Sequence, residues 1–236
     1  MDMVFPSPSG EDVMASLARP AQGAQNTPAL LFVHWLGRYT CNRDEFLQEA
    51  LALASQGAVS LLVDAQWLDK VEKVYEFDEA MAIQQVIDLR RSLDVLLAQP
   101  GVDPTRLAYV GHDYGAMYGS IVAGVDRRVK AAVFMTPTAH VSTWNLIVQS
   151  RPDPDAYAAR MAIFDPAVYL PHATLSGLYL QFARTNQYVR EQDAQTIIDA
   201  APEPKEVCWY DAGHDLATER ARQDRLIWLN TQLRLA

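Results

Sequence analysis

The sequence is poor in cysteine and in positive charge, and it contains no long apolar run. Its 236 residues include two cysteines, Cys41 and Cys208, which we expect to be free buried thiols in a reducing cytoplasm. The 20 basic residues are outnumbered by 29 acidic ones, and the net charge of −9 argues against binding to nucleic acid or to an anionic membrane. No stretch approaches the roughly 20 apolar residues of a membrane-spanning helix. We therefore expect a cytoplasmic protein without nucleic-acid or membrane partners.

Motifs for metals and common cofactors are missing as well. The five histidines show no His-x-His or HExxH spacing, and the cysteines form no CxxC pair. No G-x-G-x-x-G or P-loop glycine pattern follows the first predicted strands. The first 14 residues, MDMVFPSPSGEDVM, lack the basic region of a secretory signal. We expect no metal and no cofactor, and the sequence leaves the oligomeric state open.

Half of the residues are apolar, which is enough to bury one sizeable core, so we predict one domain spanning residues 1–236. Apolar runs alternate with helical patterns, and this alternation predicts an α/β fold with a mostly parallel sheet covered by helices on both faces. The predicted strands are 29–33, 58–63, 106–110, 129–135, 175–182 and 206–210, and the predicted helices are 44–56, 78–99, 191–200 and 217–235. In helix 78–99 the predicted buried face consists of Ile83, Val86, Leu89, Leu93 and Leu96. Residues 136–174 interrupt the alternation and are predicted to form a short lid insertion.

One strand-to-helix junction has the pattern of a nucleophile elbow. The segment Gly111-His112-Asp113-Tyr114-Gly115 follows an apolar strand, and its two glycines suit a tight, strained turn. Asp113 occupies the centre of this G-x-nucleophile-x-G pattern. His214 follows the last predicted strand, and the carboxyl ends of parallel strands meet at one edge of a sheet. The alternative for Asp113 is a structural role as a helix N-cap.

The elbow and the position of His214 resemble the α/β-hydrolase superfamily over nearly the whole chain. Length and insertion resemble dienelactone hydrolases, whereas the aspartate resembles haloalkane dehalogenases, fluoroacetate dehalogenases and epoxide hydrolases. The resemblance implies that Asp113 is the nucleophile, that His214 is the base, and that backbone N–H groups of Trp35 and Tyr114 form an oxyanion hole. Asn186 stands where these families place the acid that orients the histidine. Three interpretations stay open: Asn186 orients His214 adequately, Glu191 or Asp193 takes over this role, or the site is impaired.

An aspartate at this position favours attack on saturated carbon. A carboxylate is already ionised at neutral pH, and its attack on a carbon that bears a halogen or an epoxide oxygen gives an ordinary ester. Attack on an ester would give an anhydride, which is uphill. The main hypothesis is therefore a dehalogenase or epoxide hydrolase with an alkyl-enzyme intermediate. The alternatives are an ester or lactone hydrolase in which the aspartate is tolerated or activates water, and an impaired hydrolase-fold protein that only binds its ligand.

Several aromatic and apolar side chains are candidates to line the substrate pocket. Tyr157 and Tyr169 lie in the insertion, where a hydroxyl could protonate an opening epoxide, although packing within the lid is the favoured interpretation of both. Because the candidates include no carboxylate clamp, we expect a small or medium-sized, mostly neutral substrate. The pocket candidates are His34, Leu36, Trp67, Trp144, Tyr157 and Tyr169.

Overall fold

In the computed structural model, residues 1–8, 10, 12–21, 23, 25–35, 42–65, 75–148 and 150–235 are described, without the side chains of 75–78 and 148. Eight strands form one sheet: β1 (Asp2–Pro6), β2 (Asp12–Ala18), β3 (Thr27–Val33), β4 (Val59–Val63), β5 (Val102–His112), β6 (Ala131–Met135), β7 (Gly177–Ala183) and β8 (Lys205–Tyr210). The helices are α1 (Leu47–Ser55), α2 (Tyr75–Leu97), α3 (Tyr114–Val125), α4 (Val141–Val148), α5 (Pro154–Met161), α6 (Pro166–Tyr169), α7 (Glu191–Ala200) and α8 (Glu219–Leu233), and short 3₁₀ turns accompany α1, α5 and α6.

The sheet is mostly parallel, as the sequence predicts. Its order is β1-β2-β4-β3-β5-β6-β7-β8, and only the pairs β1–β2 and β2–β4 are antiparallel. Successive residues of the central strands enter two separate apolar clusters: Leu31 and Tyr109 belong to one, and Leu30 and Val110 to the other. Because strand side chains alternate between the two faces, both faces are buried. The predicted α/β class is confirmed.

The N-terminal segment contains two strands that were not predicted from the sequence. β1 and β2 form an antiparallel hairpin that extends the sheet beyond β4. Val13, Ala15 and Leu17 are buried, an alternation typical of a strand with one covered face. Pro6 ends the outermost strand, where a missing N–H donor is tolerated.

Two further predictions need correction. Ile83 is 52% exposed, and Ala82 takes its place on the buried face of α2 together with Leu89, Leu93 and Leu96. The prediction for Ile83 was wrong because the buried face of α2 repeats every seven residues at Ala82, Leu89 and Leu96, and Ile83 lies one residue away from this face. Cys208 is a free thiol, but it is partly exposed rather than buried, and Cys41 lies outside the described residues.

Candidate active site

The predicted elbow forms a strained turn between β5 and α3. Asp113 has φ 54° and ψ −114°, a conformation that non-glycine residues seldom adopt. Gly111 and Gly115 are required, because a Cβ at Gly111 would overlap the carbonyl of Gly115 and one at Gly115 would overlap the carbonyl of Val33. The Asp113 side chain is buried and makes no capping hydrogen bond to α3, so the N-cap alternative fails.

The turn brings Asp113, His214 and Asn186 together. Nε2 of His214 lies 3.6 Å from Oδ2 of Asp113, and Nδ1 of His214 lies 3.1 Å from Oδ1 of Asn186. The same Asn186 oxygen accepts the backbone N–H groups of Tyr188 at 2.9 Å and Val189 at 3.0 Å. These two donors identify the atom as oxygen, so Nδ1 of His214 carries a proton, and in the neutral ring the lone pair of Nε2 points towards Asp113.

Aromatic rings surround His214. The ring centroids of Trp35, Trp144 and Tyr188 lie 5.5, 5.4 and 5.1 Å from that of His214. Nε2 of His214 and the indole N–H of Trp144 are both buried, and neither has a hydrogen-bond partner within the described ranges. Nε2 of His214 is therefore available to a substrate or a water molecule, and the indole ring packed beside His214 carries a donor that such a molecule could use.

The two predicted oxyanion donors differ in their surroundings. The backbone N–H of Trp35 donates to Oε2 of Glu45 at 3.0 Å, so a carboxylate already engages it. Tyr114 is the first residue of α3, where the positive end of the helix dipole favours an anion. The Tyr114 hydroxyl donates to Asn145 at 2.7 Å, and the Asn145 amide donates to the Tyr157 hydroxyl at 2.8 Å.

The remaining pocket candidates fall in three groups. Tyr157 is buried and joins the elbow through Asn145, whereas Tyr169 packs beside Gly124 near the far end of α3, roughly 15 Å along the helix. His34 is fixed locally: Nδ1 donates to its neighbour's carbonyl, Nε2 accepts the N–H of Ala65 at 3.0 Å, and burial lowers the pKa of His34. Leu36 and Trp67 lie outside the described residues.

Neither substitute acid lies at His214. Asp193 forms an ion pair with Arg190 at 2.7 Å, and Glu191 is exposed at the start of α7. The sequence analysis missed Glu45, Asn145 and Tyr188. Tyr188 lies two residues after Asn186 and could have been found from that spacing, but no sequence pattern indicated Glu45 or Asn145.

The described part of the chain has neither a cluster of metal ligands nor a membrane-spanning helix. No group of three or more His, Cys, Asp or Glu side chains there could hold a metal ion. Within the same ranges, no helix combines the length and apolar character needed to cross a membrane.

Comparison with known proteins gives a match by structure alone. No protein-family model matches the chain, and no curated protein matches it. An acetyl xylan esterase from Paenibacillus sp. R4 is similar with a TM-score of 0.80 and 18% identity, covering 98% of this chain and 83% of its own. A 2,6-dihydroxy-pseudo-oxynicotine hydrolase has a TM-score of 0.77 and 13% identity, and the match covers 99% of this chain and 68% of that hydrolase. A protein from Klebsiella pneumoniae subsp. pneumoniae MGH 78578, assigned as a dienelactone hydrolase, has a TM-score of 0.70 and 16% identity, covering 99% and 97%. Together with the elbow and the sheet order, these similarities establish that this chain has the α/β-hydrolase fold.

Proposed function

We propose that this chain is a hydrolase of small, mostly neutral esters or lactones, in which Asp113 and His214 form the reacting pair. One observation carries the proposal. The carboxylate beside His214 lies on its Nε2 side, at Asp113, while the neutral amide of Asn186 faces Nδ1. The carboxylate and the lone pair of the imidazole therefore face the same small volume.

In this mechanism a water molecule binds beside Nε2 of His214 and the carboxylate of Asp113. Nε2 takes a proton from the water while the water oxygen bonds to the substrate's carbonyl carbon. The resulting imidazolium lies 3.6 Å from Oδ2 of Asp113. Such a pair attracts by on the order of 4 kcal/mol at an effective dielectric constant of about 20. Asp113 thus supplies the charge that Asn186 lacks. The tetrahedral intermediate then breaks its ester C–O bond, and the alkoxide takes the proton from Nε2.

Two features support the substrate class. The proteins of similar structure include esterases and a protein assigned as a dienelactone hydrolase, so esters and lactones are the first substrates to test. The rings around His214 are aromatic, and they include Trp144 and Tyr188. Such a wall suits neutral substrates better than charged ones, because an ion would have to give up its hydration without a partner.

A second candidate reaction is displacement at carbon by Asp113 itself. An oxygen of Asp113 would bond to a carbon that carries a halogen, and the halide would leave with the bonding electron pair. Water activated by Nε2 of His214 would then cleave the ester at the carbonyl carbon of Asp113 and return the carboxylate. The buried indole N–H of Trp144, which has no hydrogen-bond partner among the described residues, favours this candidate because it could hold a departing anion.

Isotope labelling separates the two reactions. The protein is given limiting 4-nitrophenyl acetate, dihydrocoumarin, styrene oxide or 1-bromobutane in H₂¹⁸O, and the peptide containing Asp113 is weighed by mass spectrometry. Ester or lactone hydrolysis places the heavy oxygen in the product acid and leaves Asp113 unlabelled. Displacement places one heavy oxygen in the Asp113 carboxylate in the first turnover, because the water that cleaves the ester attacks the carbonyl carbon of Asp113. Absence of turnover on all four probes, with no gain from Asn186→Asp, would instead favour a binding protein.

A further inference from the structure

Both ring nitrogens of His112 face hydrogen-bond acceptors. Nδ1 lies 2.6 Å from Oε1 of Glu45, and Nε2 lies 3.0 Å from the backbone carbonyl of His214. A carbonyl can only accept, so Nε2 must carry a proton. Nδ1 must then either carry a second proton or receive one from Glu45. The pair therefore holds one proton more than a neutral imidazole beside an ionised carboxylate.

The charges around His112 indicate where this proton lies. Burial lowers the pKa of His112, but the charge of Glu45 and its hydrogen bond outweigh burial, and Asp113 acts in the same direction. The pKa of His112 is therefore raised above its ordinary value of 6.5. The other titratable rings near it are His214, with a centroid distance of 5.5 Å, and His34. At pH 6.5 the favoured form of His112 is consequently the imidazolium, which donates from both nitrogens.

Glu45 extends this contact to a third segment of the chain. Its second oxygen accepts the backbone N–H of Trp35 at 3.0 Å, and the Trp35 indole stacks on His112 with a centroid distance of 5.4 Å. The chain of contacts Trp35–Glu45–His112–His214 thus joins the segments that follow β3 and β8 to the last residue of β5. Glu45 and His112 thus reach the site through backbone groups, the N–H of Trp35 and the carbonyl of His214.

We propose that His112 and Glu45 are positioning residues that fix the backbone of His214 and so hold its Nε2 at the distance from Asp113 that the reaction requires. This inference rests on the proposed function of Asp113 and His214. Its physical basis is that the carbonyl of His214 is held by a charged donor, and such hydrogen bonds are stronger than neutral ones. A displacement of about 1 Å at a reacting group can cost on the order of 10²-fold in rate.

Nitrogen NMR of the full chain tests the arrangement without any substrate. With ¹⁵N-labelled histidine, His112 should show two mainly protonated ring nitrogens at pH 6.5. Glu45→Gln keeps every hydrogen bond, because the introduced amide can donate to Nδ1 of His112 and its oxygen can accept from Trp35. In that variant His112 should have one protonated nitrogen, and the signals of His214 should be unchanged. A wild-type His112 with one protonated nitrogen at pH 6.5 would overturn the inference.

Kinetics on whichever probe is hydrolysed then tests positioning. Glu45→Ala removes both contacts and should lower kcat on the order of 10²-fold with little change in KM, whereas Glu45→Gln should recover most of that loss. Thermal unfolding and circular dichroism establish that both variants are folded. Equal kcat for Glu45→Ala and the wild type would refute positioning while leaving the proposed function intact. If no probe is hydrolysed, the NMR experiment still shows whether His112 is protonated on both nitrogens. Failure of the proposed hydrolysis can therefore be told apart from failure of the His112–Glu45 arrangement. If Glu45→Ala does not fold, His112→Leu, which removes the donor towards the carbonyl of His214, replaces it and should show the same loss in kcat.

Discussion

Oδ1 of Asn186 accepts three hydrogen bonds, one of which comes from Nδ1 of His214 at 3.1 Å. The other two come from the backbone N–H groups of Tyr188 and Val189. This oxygen therefore lies where a carboxylate oxygen would be well satisfied, and the turn that holds it does not depend on the amide nitrogen. Asn186 therefore accepts a hydrogen bond from the proton-bearing Nδ1 of His214 as an aspartate would, but it places no negative charge beside the ring.

Asn186→Asp should raise the rate of hydrolysis. A carboxylate at position 186 would stabilise the imidazolium of His214, and in serine proteases the reverse change costs on the order of 10⁴-fold. Because Asp113 already supplies one negative charge, we expect a smaller gain, of about tenfold or more. Asn186→Leu is the matched control and should lose activity. An unchanged rate of hydrolysis in Asn186→Asp would contradict this role of Asn186.

Gly115→Ala should destabilise the elbow strongly. A Cβ at Gly115 would overlap the carbonyl groups of Val33 and His34, which belong to the backbone and cannot rotate away. We expect a loss of about 3 kcal/mol or more in the free energy of unfolding, at or above the upper end of ordinary overpacking. Gly23→Ala is the control, because no atom lies within 4 Å of a Cβ built there. Similar urea midpoints for both variants would show that the close approach is not needed.

The buried ion pair between Glu49 and Arg225 provides a test of packing between α1 and α8. Nε of Arg225 donates to Glu49 at 2.9 Å, and a second guanidinium nitrogen donates to Gln181 at 2.6 Å. Both charged side chains are buried, so Glu49→Leu alone should cost about 3–5 kcal/mol in unfolding free energy, since it leaves the guanidinium charge without its partner. The double variant Glu49→Leu with Arg225→Met should recover much of this loss. If urea unfolding showed that the double variant loses as much stability as the two single variants together, Glu49 and Arg225 would not stabilise each other.

Stability should depend on pH through His112. Its folded-state pKa is raised above 6.5, so folding favours the protonated form. The resulting stability is fully present below about pH 6.5 and is lost as pH rises through the folded-state pKa. Glu45→Gln removes the charge that raises this pKa. The wild type should therefore exceed this variant in unfolding free energy at pH 5.5, and the difference should shrink as the pH rises towards 9. If the wild type gained stability over Glu45→Gln as the pH rises, the pKa of His112 would not be raised by folding.

The sequence predicted the parts of the site that follow from local rules. Asp113 and His214 could be placed because a glycine-flanked turn after a buried strand fixes the elbow, and because parallel strands bring their ends to one edge of the sheet. The contact between Glu45 and the backbone N–H of Trp35 could not be predicted, since it depends on how a 3₁₀ turn packs against the end of β3.

The insertion was harder to interpret for a physical reason. Tyr157 and Tyr169 lie in short helices without a repeated apolar pattern, so the sequence does not indicate which one faces the elbow. The structure connects Tyr157 to Tyr114 through Asn145, and it places Tyr169 beside Gly124. The N-terminal hairpin was missed because Pro6 and Pro8 suggest a loop, although an outer strand tolerates a terminal proline.

The most direct test of the account compares the wild type with Asp113→Asn on 4-nitrophenyl acetate, dihydrocoumarin, styrene oxide and 1-bromobutane. The substitution keeps the size of the side chain and removes the charge that faces Nε2 of His214. We predict that the wild type hydrolyses at least one probe and that kcat/KM falls at least about 10³-fold in the variant, as for loss of a principal catalytic group. Equal kcat/KM for the two proteins on every probe that is hydrolysed would contradict the claim that Asp113 takes part in the reaction.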